Sequence, residues 1–442
     1  MKTIDSPSQS KWSKITQRPM IKQAKLMDTV EKIFYDINRK GDSAVLKYSR
    51  KFDFPEQKSL TVNSEDIEKA SGELSERLKQ AIDIARNNIE TFHKSQKESG
   101  EKITISDGIT CWRENRPIEN IGIYVPGGSA PLFSTVLMLA VPAKVAGCKE
   151  IVLCTPPNNE GFIHPAILYT ANLVGVTKII AAGGIQAIGA MTFGTTTVPK
   201  VDKIFGPGNQ YVMAAKRMAQ FFGTAIDMPA GPSELLVVAD ETCNPKFVAA
   251  DLLSQAEHGP DSQVFLVSNN KQVIKEVNKE IDSQLLALPR KEIAIQALKN
   301  SKAVFLKNIE ECIAFSNVYA PEHLILAVEN PVLQSRNVIN AGSVFLGNYS
   351  CESLGDYAAG TNHTLPTSGH SKAYSGVSLD GFVKKITFQQ VDEDGMTSVG
   401  TVVEVMAETE GLYGHKNAVT LRLGEIAAKR IQLVNNASNE II

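Results

Sequence analysis

The stretch NIGIYVPGGSAPLFSTVLMLAVPAKVAGCKEIVLC, residues 120–154, decides the fold because it joins two short apolar runs through one long run. The short runs NIGIYV and EIVLC have the length and composition of strands, whereas TVLMLAVPAKVAG has the length of a helix. A strand, a helix and a second strand in this order are typical of a parallel pair within one sheet. The stretch therefore predicts a βαβ unit.

The same alternation continues along most of the chain in two sets. The first set runs on through KIIAAG, IQAIGAMTFG and NQYVMAAKRMAQ, and the second runs from SELLVVAD through SQVFLVS, KAVFLKN, HLILAV and GSVFLG. We therefore predict an α/β protein with two Rossmann-like parallel-sheet domains, a helical N-terminal lead-in and a small helical C-terminal appendage. The expected segments are 1–102 (helical, packing on the α/β core), 103–232 (first α/β domain), 233–377 (second α/β domain) and 378–442 (helical).

The composition is that of an ordinary soluble protein. Of the 442 residues, 43% are apolar and 21% are charged, and the formal net charge is −2. A balanced charge without a basic run gives no reason to expect nucleic acid or an anionic membrane surface as partner. The N-terminus MKTIDSPSQSKWSK lacks the apolar core of a signal peptide, and no apolar run of about 18 residues follows, so we expect a cytoplasmic protein.

The cysteines do not form a metal-binding motif. Six of them are scattered along the chain, mostly within apolar segments. We interpret them as buried thiols without disulfide bonds rather than as ligands. They are Cys111, Cys148, Cys154, Cys243, Cys312 and Cys351.

Three glycine-bearing loops follow predicted strands and open predicted helices: YVPGGS at 124–129, GGIQ at 183–186 and GPGN at 206–209. At the carboxyl ends of parallel strands, glycine allows backbone N–H groups and helix N-termini to approach a phosphate. None of the loops is a G-x-G-x-x-G fingerprint, and each alone is compatible with ordinary turn chemistry. Three in succession favour a ligand of nucleotide size.

Two polar pairs lie in the second set. In LLSQAEHG, Gln255 and His258 are three residues apart on a predicted helix and would share one face; the alternative is a polar helix end before Gly259. In APEHLIL, Glu322 and His323 precede an apolar strand. Adjacent residues of an extended segment point to opposite sides, so the two need not share a role, yet a carboxylate and an imidazole can serve acid/base chemistry.

Two further segments carry candidate ligands. The long polar loop CESLGDYAAGTNHTLPTSGH contains Asp356 and His363, and ETEGLYGHKNAV contains Glu410 and His415. Loops of this length and composition are more often functional than structural. Imidazole, carboxylate and carboxamide groups form a nitrogen and oxygen ligand set that suits zinc, here Gln255, His258, Asp356 and His415. Spacing alone does not show that these residues converge.

Taken together, the segments resemble the histidinol dehydrogenase family. The resemblance extends from about residue 103 to residue 424 and is densest in seven ordered segments. They are IGIYVPGGSAPLFSTVLMLAVPAKVAGC, FGPGNQYVMAAKR, DMPAGPSELLVVAD, LLSQAEHGPDSQ, YAPEHLIL, ESLGDYAAGTNHTLPTSG and GHKNAVTLR. Every site position of the family motifs carries the expected residue type.

The resemblance implies an NAD- and zinc-dependent oxidation of L-histidinol to L-histidine through the aldehyde, the last step of histidine biosynthesis, in an intertwined homodimer. It implies zinc (Zn2+) on Gln255, His258, Asp356 and His415, the last reaching the site of the partner subunit. Glu322 and His323 would be the acid/base pair, with His323 taking the alcohol proton and Glu322 activating water. The resemblance implies that the substrate meets the zinc ligands, the acid/base pair, Ser233, His363 and Glu410, and that NAD meets Tyr124, Gln186 and Asn209.

Two alternatives remain at this point. A related zinc and NAD dehydrogenase could act on another small polar alcohol, such as a sulfonated diol, although the TNH run with His363 and the position of Glu410 favour an imidazole substrate. A zinc hydrolase that activates water would be a different class of enzyme. The appearance of NADH with substrate separates the two classes.

Overall fold

The computed structural model describes residues 1–19, 23–127, 130–229 and 231–439. The strands are β1 (Lys2–Asp5), β2 (Ile103–Ser106), β3 (Ile109–Pro117), β4 (Asn120–Tyr124), β5 (Glu150–Thr155), β6 (Lys178–Ala181), β7 (Lys203–Phe205), β8 (Ala225–Ile226), β9 (Glu234–Ala239), β10 (Gln263–Ser268), β11 (Lys302–Phe305), β12 (His323–Ala327), β13 (Ser343–Leu346) and β14 (Val383–Val391).

The α-helices follow the same chain order. They are α1 (Trp12–Ile15), α2 (Gln23–Lys40), α3 (Asp42–Phe52), α4 (Ser64–Glu73), α5 (Glu76–Lys94), α6 (Phe133–Ala146), α7 (Pro165–Leu173), α8 (Gly184–Phe193), α9 (Gln210–Phe221), α10 (Pro245–Ala256), α11 (Lys271–Leu285), α12 (Lys291–Asn300), α13 (Ile309–Tyr319), α14 (Pro331–Gln334), α15 (Glu352–Tyr357), α16 (Glu393–Thr409) and α17 (Tyr413–Asn439).

The chain divides into two compact units. The larger unit contains Met1–Gln96 and Ile118–Phe382, and the smaller unit contains Lys97–Pro117 and Val383–Ile442. The larger unit holds two parallel sheets, which confirms the predicted α/β class with two parallel-sheet domains. The four-segment division of the chain stays a prediction.

The first lobe of the larger unit is a five-stranded parallel sheet with α6 to α9. Its strand order is β6-β5-β4-β7-β8. The predicted βαβ unit is confirmed, since β4 and β5 pair in parallel with Asn120 opposite Glu150, and α6 connects them. The apolar faces of the N-terminal helices α2 to α5 pack on the helices of this lobe, as in the contact of Phe34 and Ile37 with the α8 core.

The second lobe is a six-stranded parallel sheet with α10 to α15. Its strand order is β1-β11-β10-β9-β12-β13, and β9, β10 and β12 are buried along their whole length. Strand β1 pairs with β11, Lys2 opposite Lys302, although the sequence suggested only helices for the N-terminal segment. The strand escaped prediction because KTID is short, polar and mostly exposed.

The smaller unit combines an antiparallel sheet with two helices. Strands β14, β3 and β2 form the sheet, and α16 packs on α17. The prediction of helices from residue 378 onward was wrong at its start, because β14 precedes them. Most side chains of β14 are exposed or half-buried, so the strand has no buried apolar face to mark it in the sequence.

Two sequence predictions concern the whole chain. The cysteines carry free thiols in the structure, and Cys148, Cys154, Cys243 and Cys312 are buried, as predicted. Among the described residues, we find no helix whose length and hydropathy would let it cross a bilayer.

Candidate active site

Glu322 and His323 lie at the amino end of β12, and both side chains are buried. Glu322 Oε2 is 3.6 Å from His323 Nδ1. The expectation that the two side chains diverge was wrong, because Glu322 lies in the bend before the strand rather than within it. Its Oε2 accepts the backbone N–H of Glu234, the first residue of β9, at 2.8 Å, which holds the carboxylate beside the imidazole.

Helix α15 brings two more carboxylates to the imidazole. Glu352 Oε1 is 3.7 Å from His323 Nδ1, and Asp356 Oδ1 is 3.4 Å from His323 Nε2. The segment was predicted as a loop, but the four-residue spacing places both acids on one face of a short helix. Ligand atoms of His323, Glu352 and Asp356 all lie within 4.8 Å of one another, so the three residues have the spacing of a metal site.

Gln255 reaches the same cluster from the last turn of α10. Its side chain is satisfied when the amide NH2 donates to Glu352 Oε1 and the amide oxygen accepts from Glu234 N–H (3.2 Å) and His323 Nδ1 (3.3 Å). This orientation makes His323 Nδ1 a donor, so in the neutral ring Nε2 is the acceptor.

His258 does not share a helical face with Gln255, as the sequence had suggested. Helix α10 ends at Ala256, and His258 lies beyond it with its surface exposed, whereas Gln255 is buried. The turn before Gly259 ends the helix. Desolvation lowers the pKa of His258, and the negative charge of Asp356 acts in the opposite direction.

Three buried polar atoms of the cluster are unsatisfied. His323 Nε2, Glu352 Oε2 and Asp356 Oδ1 have no hydrogen-bond partner among the residues that the structure describes. Buried polar groups are almost always paired, so such a group of atoms calls for an additional ligand, ion or water. A lone pair on Nε2 facing a carboxylate is favourable only with a proton or a cation between them.

The charges and the burial of the cluster shift the pKa values of its side chains. Burial opposes the charged form of His323, but Glu352 and Glu322 outweigh burial and raise the pKa of His323 well above its usual value. Burial raises the pKa of Glu322 and, more strongly, that of Glu352, with His323 acting against it in both cases. Burial would also raise the pKa of Asp356, but the contact with His323 prevails and lowers it. The cluster can therefore hold or accept protons at several atoms.

Two predicted substrate contacts, Ser233 and His363, lie in the larger unit and are half-buried. Ser233 immediately precedes β9. His363 Nδ1 donates to the backbone carbonyl of Asp356 at 2.8 Å, and Thr135 Oγ1 lies 3.1 Å from His363 Nε2. The carbonyl thus fixes the ring next to the cluster, with Nε2 as the acceptor in its neutral form.

Glu410 and His415 belong to the smaller unit. Glu410 caps the end of α16 and His415 lies in the first turn of α17, and both are exposed in the single chain. Their exposure leaves them available to a second chain.

The three predicted NAD contacts line one cavity of the first lobe. The cavity has a volume of about 1080 Å³, enough for a dinucleotide, and Tyr124, Gln186 and Asn209 contribute to its wall. Tyr124 ends β4, Gln186 lies in the first turn of α8 after β6, and Asn209 caps α9 after β7, so the cavity lies at the carboxyl ends of the strands.

The helix N-termini at this cavity already have acceptors. The N–H of Gly183 donates to Asp53 Oδ2 (3.0 Å) and that of Gly184 donates to the Tyr124 hydroxyl (3.1 Å) at the start of α8. Asn209 Oδ1 accepts two backbone N–H groups at the start of α9. The expectation that these loops approach a phosphate stays a prediction, and Gly128 and Ser129 of the first loop lie outside the described residues.

The fold and its two sites define a class: an α/β protein with a nucleotide-sized cavity in one lobe and, in the other, a buried cluster of carboxylates and one imidazole that has the spacing of a metal site. The family described as histidinol dehydrogenase matches residues 16–423. The chain belongs to that family and is an oxidoreductase.

Individual relatives agree with this assignment. The histidinol dehydrogenase of Bacteroides thetaiotaomicron is 56% identical over 426 residues, which cover 96% of this chain and 100% of that protein. The chloroplastic histidinol dehydrogenase of Arabidopsis thaliana is 49% identical over a region that covers 96% of this chain and 91% of that protein. A crystal structure of histidinol dehydrogenase from Elizabethkingia anophelis matches with a TM-score of 0.93 at 58% identity. The match covers 97% of this chain and 99% of the chain in that structure. The alternatives of a sulfonated-diol dehydrogenase and of a hydrolase are not favoured.

Proposed function

We propose that this chain oxidises L-histidinol to L-histidine, with NAD as hydride acceptor and zinc as resident metal. The relatives are named for their action on histidinol. The observation that carries the proposal is the buried cluster of His323, Glu322, Glu352 and Asp356 with its unsatisfied atoms, because it offers a base, an acid and a cation site in one place.

The predicted zinc ligands are Gln255, His258, Asp356 and His415, and the donor chemistry fits that metal. Asp356 Oδ1 lacks a hydrogen-bond partner among the described residues, and the cluster contains three carboxylates against one imidazole. Gln255 lies at the C-terminal end of α10, where the helix dipole is negative and favours a cation. When bound, zinc would supply a positive charge that grips amino and imidazole nitrogens of the substrate.

The proton transfers belong to the two residues at the start of β12. His323 takes the proton of the substrate hydroxyl, and the neighbouring carboxylates raise the pKa of its imidazole, which strengthens it as a base. Glu322 takes a proton from water, so that hydroxide adds to the aldehyde and the hydrate is oxidised in the second step. NAD supplies the hydride acceptor in both steps.

Substrate and cofactor occupy the residues that the family motifs suggest. Ser233, His363 and Glu410 are the residues proposed to hold the polar groups of histidinol. NAD occupies the cavity of the first lobe and contacts Tyr124, Gln186 and Asn209.

We further propose a homodimer in the cytoplasm, with His415 contributed to the partner's site. Apolar side chains on α16 and α17 are solvent-exposed in the single chain, among them Val405 (65%), Leu421 (65%) and Leu433 (69%). Exposed apolar side chains concentrated on a helix pair favour a protein interface. Free, mostly buried thiols fit a reducing compartment.

The metal assignment is tested by His415→Asn. The variant should fold but lose zinc on dialysis, since one ligand is gone, and its activity should fall with the metal content. His370→Asn is the matched control, because His370 contacts Arg217 outside the cluster, and it should keep its zinc. Metal content equal to wild type in His415→Asn would refute the role of His415.

A further inference from the structure

An aspartate from the N-terminal helices reaches into the first-lobe cavity. Asp53 follows α3 as its C-terminal cap and lines the cavity together with Tyr124 and Gln186. Its Oδ2 accepts two hydrogen bonds, one from the backbone N–H of Gly183 at 3.0 Å and one from Gln186 Nε2 at 2.9 Å. The sequence did not single out this residue, which lies more than 100 positions before both partners.

The Asp53 carboxylate is favoured by the N-terminus of α8 and not by the C-terminus of α3, the helix that it caps. A carboxylate is unfavourable at the C-terminus of a helix such as α3, and favourable at the N-terminus of a helix such as α8. Burial raises the pKa of Asp53, while the hydrogen bonds from Gly183 and Gln186 act in the opposite direction. The two donors therefore stabilise a negative charge at the wall of the cavity.

The hydrogen bond also sets the direction of the Gln186 amide. In the opposite orientation, the amide oxygen would face the Asp53 carboxylate and repel it. Asp53 thus decides which atom of Gln186 is a donor to the protein and leaves the amide oxygen as the acceptor for a ligand. The Tyr124 hydroxyl is fixed in a similar way, because it accepts the N–H of Gly184 and retains its own O–H as a donor.

We propose that Asp53 is a positioning and specificity-determining residue of the cofactor site. Its carboxylate occupies the place where a phosphate would bind at the N-terminus of α8, and it holds Gln186 ready to accept from a hydroxyl or amine of the cofactor. This end of the cavity takes the uncharged groups of NAD and disfavours the additional phosphate of NADP. The inference rests on the proposed use of NAD.

Two substitutions separate the positioning effect from the charge effect. In Asp53→Asn, one oxygen can still accept from Gly183 and Gln186, but the charge is gone. In Asp53→Ala, both hydrogen bonds are lost. The dissociation constants of NAD and NADP are measured by calorimetry on the zinc-loaded enzyme, and kcat and KM are measured with histidinol.

Asp53→Ala should weaken NAD binding about tenfold and raise KM for NAD with little change in kcat, as expected for the loss of hydrogen bonds to a charged group. Asp53→Asn should keep the affinity for NAD within about threefold, yet bind NADP about tenfold more tightly relative to NAD, since one repulsive charge is removed. NAD affinity unchanged in Asp53→Ala, or an unchanged ratio of NADP to NAD affinity in Asp53→Asn, would overturn the inference.

The matched control is Asp42→Ala in the same helix. Asp42 Oδ2 accepts from the Thr197 hydroxyl at 2.6 Å, outside the residues that line the cavity. Asp42→Ala should lower the melting temperature without changing the ratio of NADP affinity to NAD affinity. If wild type itself fails to bind NAD, the proposed function falls and this inference with it; if wild type binds NAD and only the Asp53 results disagree, this inference alone is wrong.

Discussion

The two lobes of the larger unit share a parallel-sheet architecture but place their candidate sites at opposite edges. The first-lobe cavity lies at the carboxyl ends of β4, β6 and β7, where α/β proteins commonly bind ligands. The second-lobe cluster lies at the amino ends of β9 and β12. The edge at which a site forms therefore depends on the side chains and helix ends that meet there, and the fold alone does not decide it.

The two edges also differ in charge. At the carboxyl edge the helices present their N-termini, whose N–H groups are bonded to Asp53, Tyr124 and Asn209. At the amino edge, α10 presents its C-terminus to a group of buried carboxylates. The first edge suits a large ligand with polar groups, and the second suits a cation and proton transfer.

The largest expected effect is on the chemistry of the second lobe. Glu322→Gln removes the proposed base for water, so oxidation of the aldehyde should slow by about 10²–10⁴-fold, whereas oxidation of the alcohol should slow less. Stopped-flow measurement of NADH from histidinol and from the aldehyde separates the steps. Glu329→Gln, an exposed glutamate just beyond the other end of β12, is the control. Equal loss in both oxidations contradicts the role of Glu322.

The next effect tests whether the first lobe depends on charge for its stability. Lys216 and Asp227 form a fully buried ion pair that holds the GPGN loop. Lys216 Nζ donates to the backbone carbonyl of Gly206 at 2.8 Å, and Asp227 Oδ2 accepts the backbone N–H of Gly206 at 2.8 Å. Lys216→Met leaves Asp227 buried and uncompensated, which should lower the free energy of unfolding by about 3–5 kcal/mol. Urea denaturation measures the loss. Adding Asp227→Asn to Lys216→Met should recover part of the lost free energy of unfolding. If Lys216→Met costs no more stability than the same substitution of an exposed lysine, Lys216 does not compensate a buried charge.

A smaller effect, a gain in stability instead of a loss, is expected from substitution of Asp251 beside the cluster. Burial raises the pKa of Asp251, one turn before Gln255, to about 7. The folded state therefore prefers the neutral acid, and the stability that Asp251 contributes is present below its unfolded value near 4 and is lost as pH rises through 7. Asp251→Asn should gain about 2 kcal/mol of stability relative to wild type between pH 4 and pH 8, after discounting for relaxation.

The Asp251 prediction is checked by thermal unfolding at several pH values on enzyme stripped of metal by a chelator. Asp282→Asn, an exposed residue of α11, controls for the loss of one charge and should show no such pH trend. A constant difference between Asp251→Asn and wild type across this range would show that Asp251 is not buried as a neutral acid.

The smallest expected signal tests whether the second-lobe site needs a partner chain. Inactive His415→Asn and inactive Glu322→Gln are mixed and allowed to exchange subunits. A mixed dimer would hold one intact site, so random exchange should restore about a quarter of wild-type activity. Mixed dimers that form but remain inactive would mean that His415 acts within its own chain.

The sequence predicted the fold class well, because long apolar strands such as β9 and β12 and helix-length runs such as α6 have clear periodicity. It missed β1 and β14, whose side chains are mostly exposed and leave no apolar pattern. It also missed Asp53, whose function depends on contacts with residues more than 100 positions away, and no local pattern reveals such contacts.

The sequence indicated the geometry of the candidate site less well than it indicated the fold class. Glu322 and His323 were placed on opposite sides because the bend before β12 was not foreseen. Glu352 was overlooked, although its four-residue spacing from Asp356 is a helical signal that could have revealed it. The convergence of Gln255 with α15 and β12 depends on tertiary packing, which residue spacing does not encode.

The most direct measurement is the ratio of NADH formed to histidine formed when the zinc-loaded enzyme is incubated with histidinol and NAD. Turning an alcohol into a carboxylate removes four electrons, and each NAD accepts one hydride. Two NADH per histidine is the expected ratio. Failure to form histidine, or one NADH per molecule of substrate with release of the aldehyde, would contradict a second-lobe cluster that carries out both oxidations.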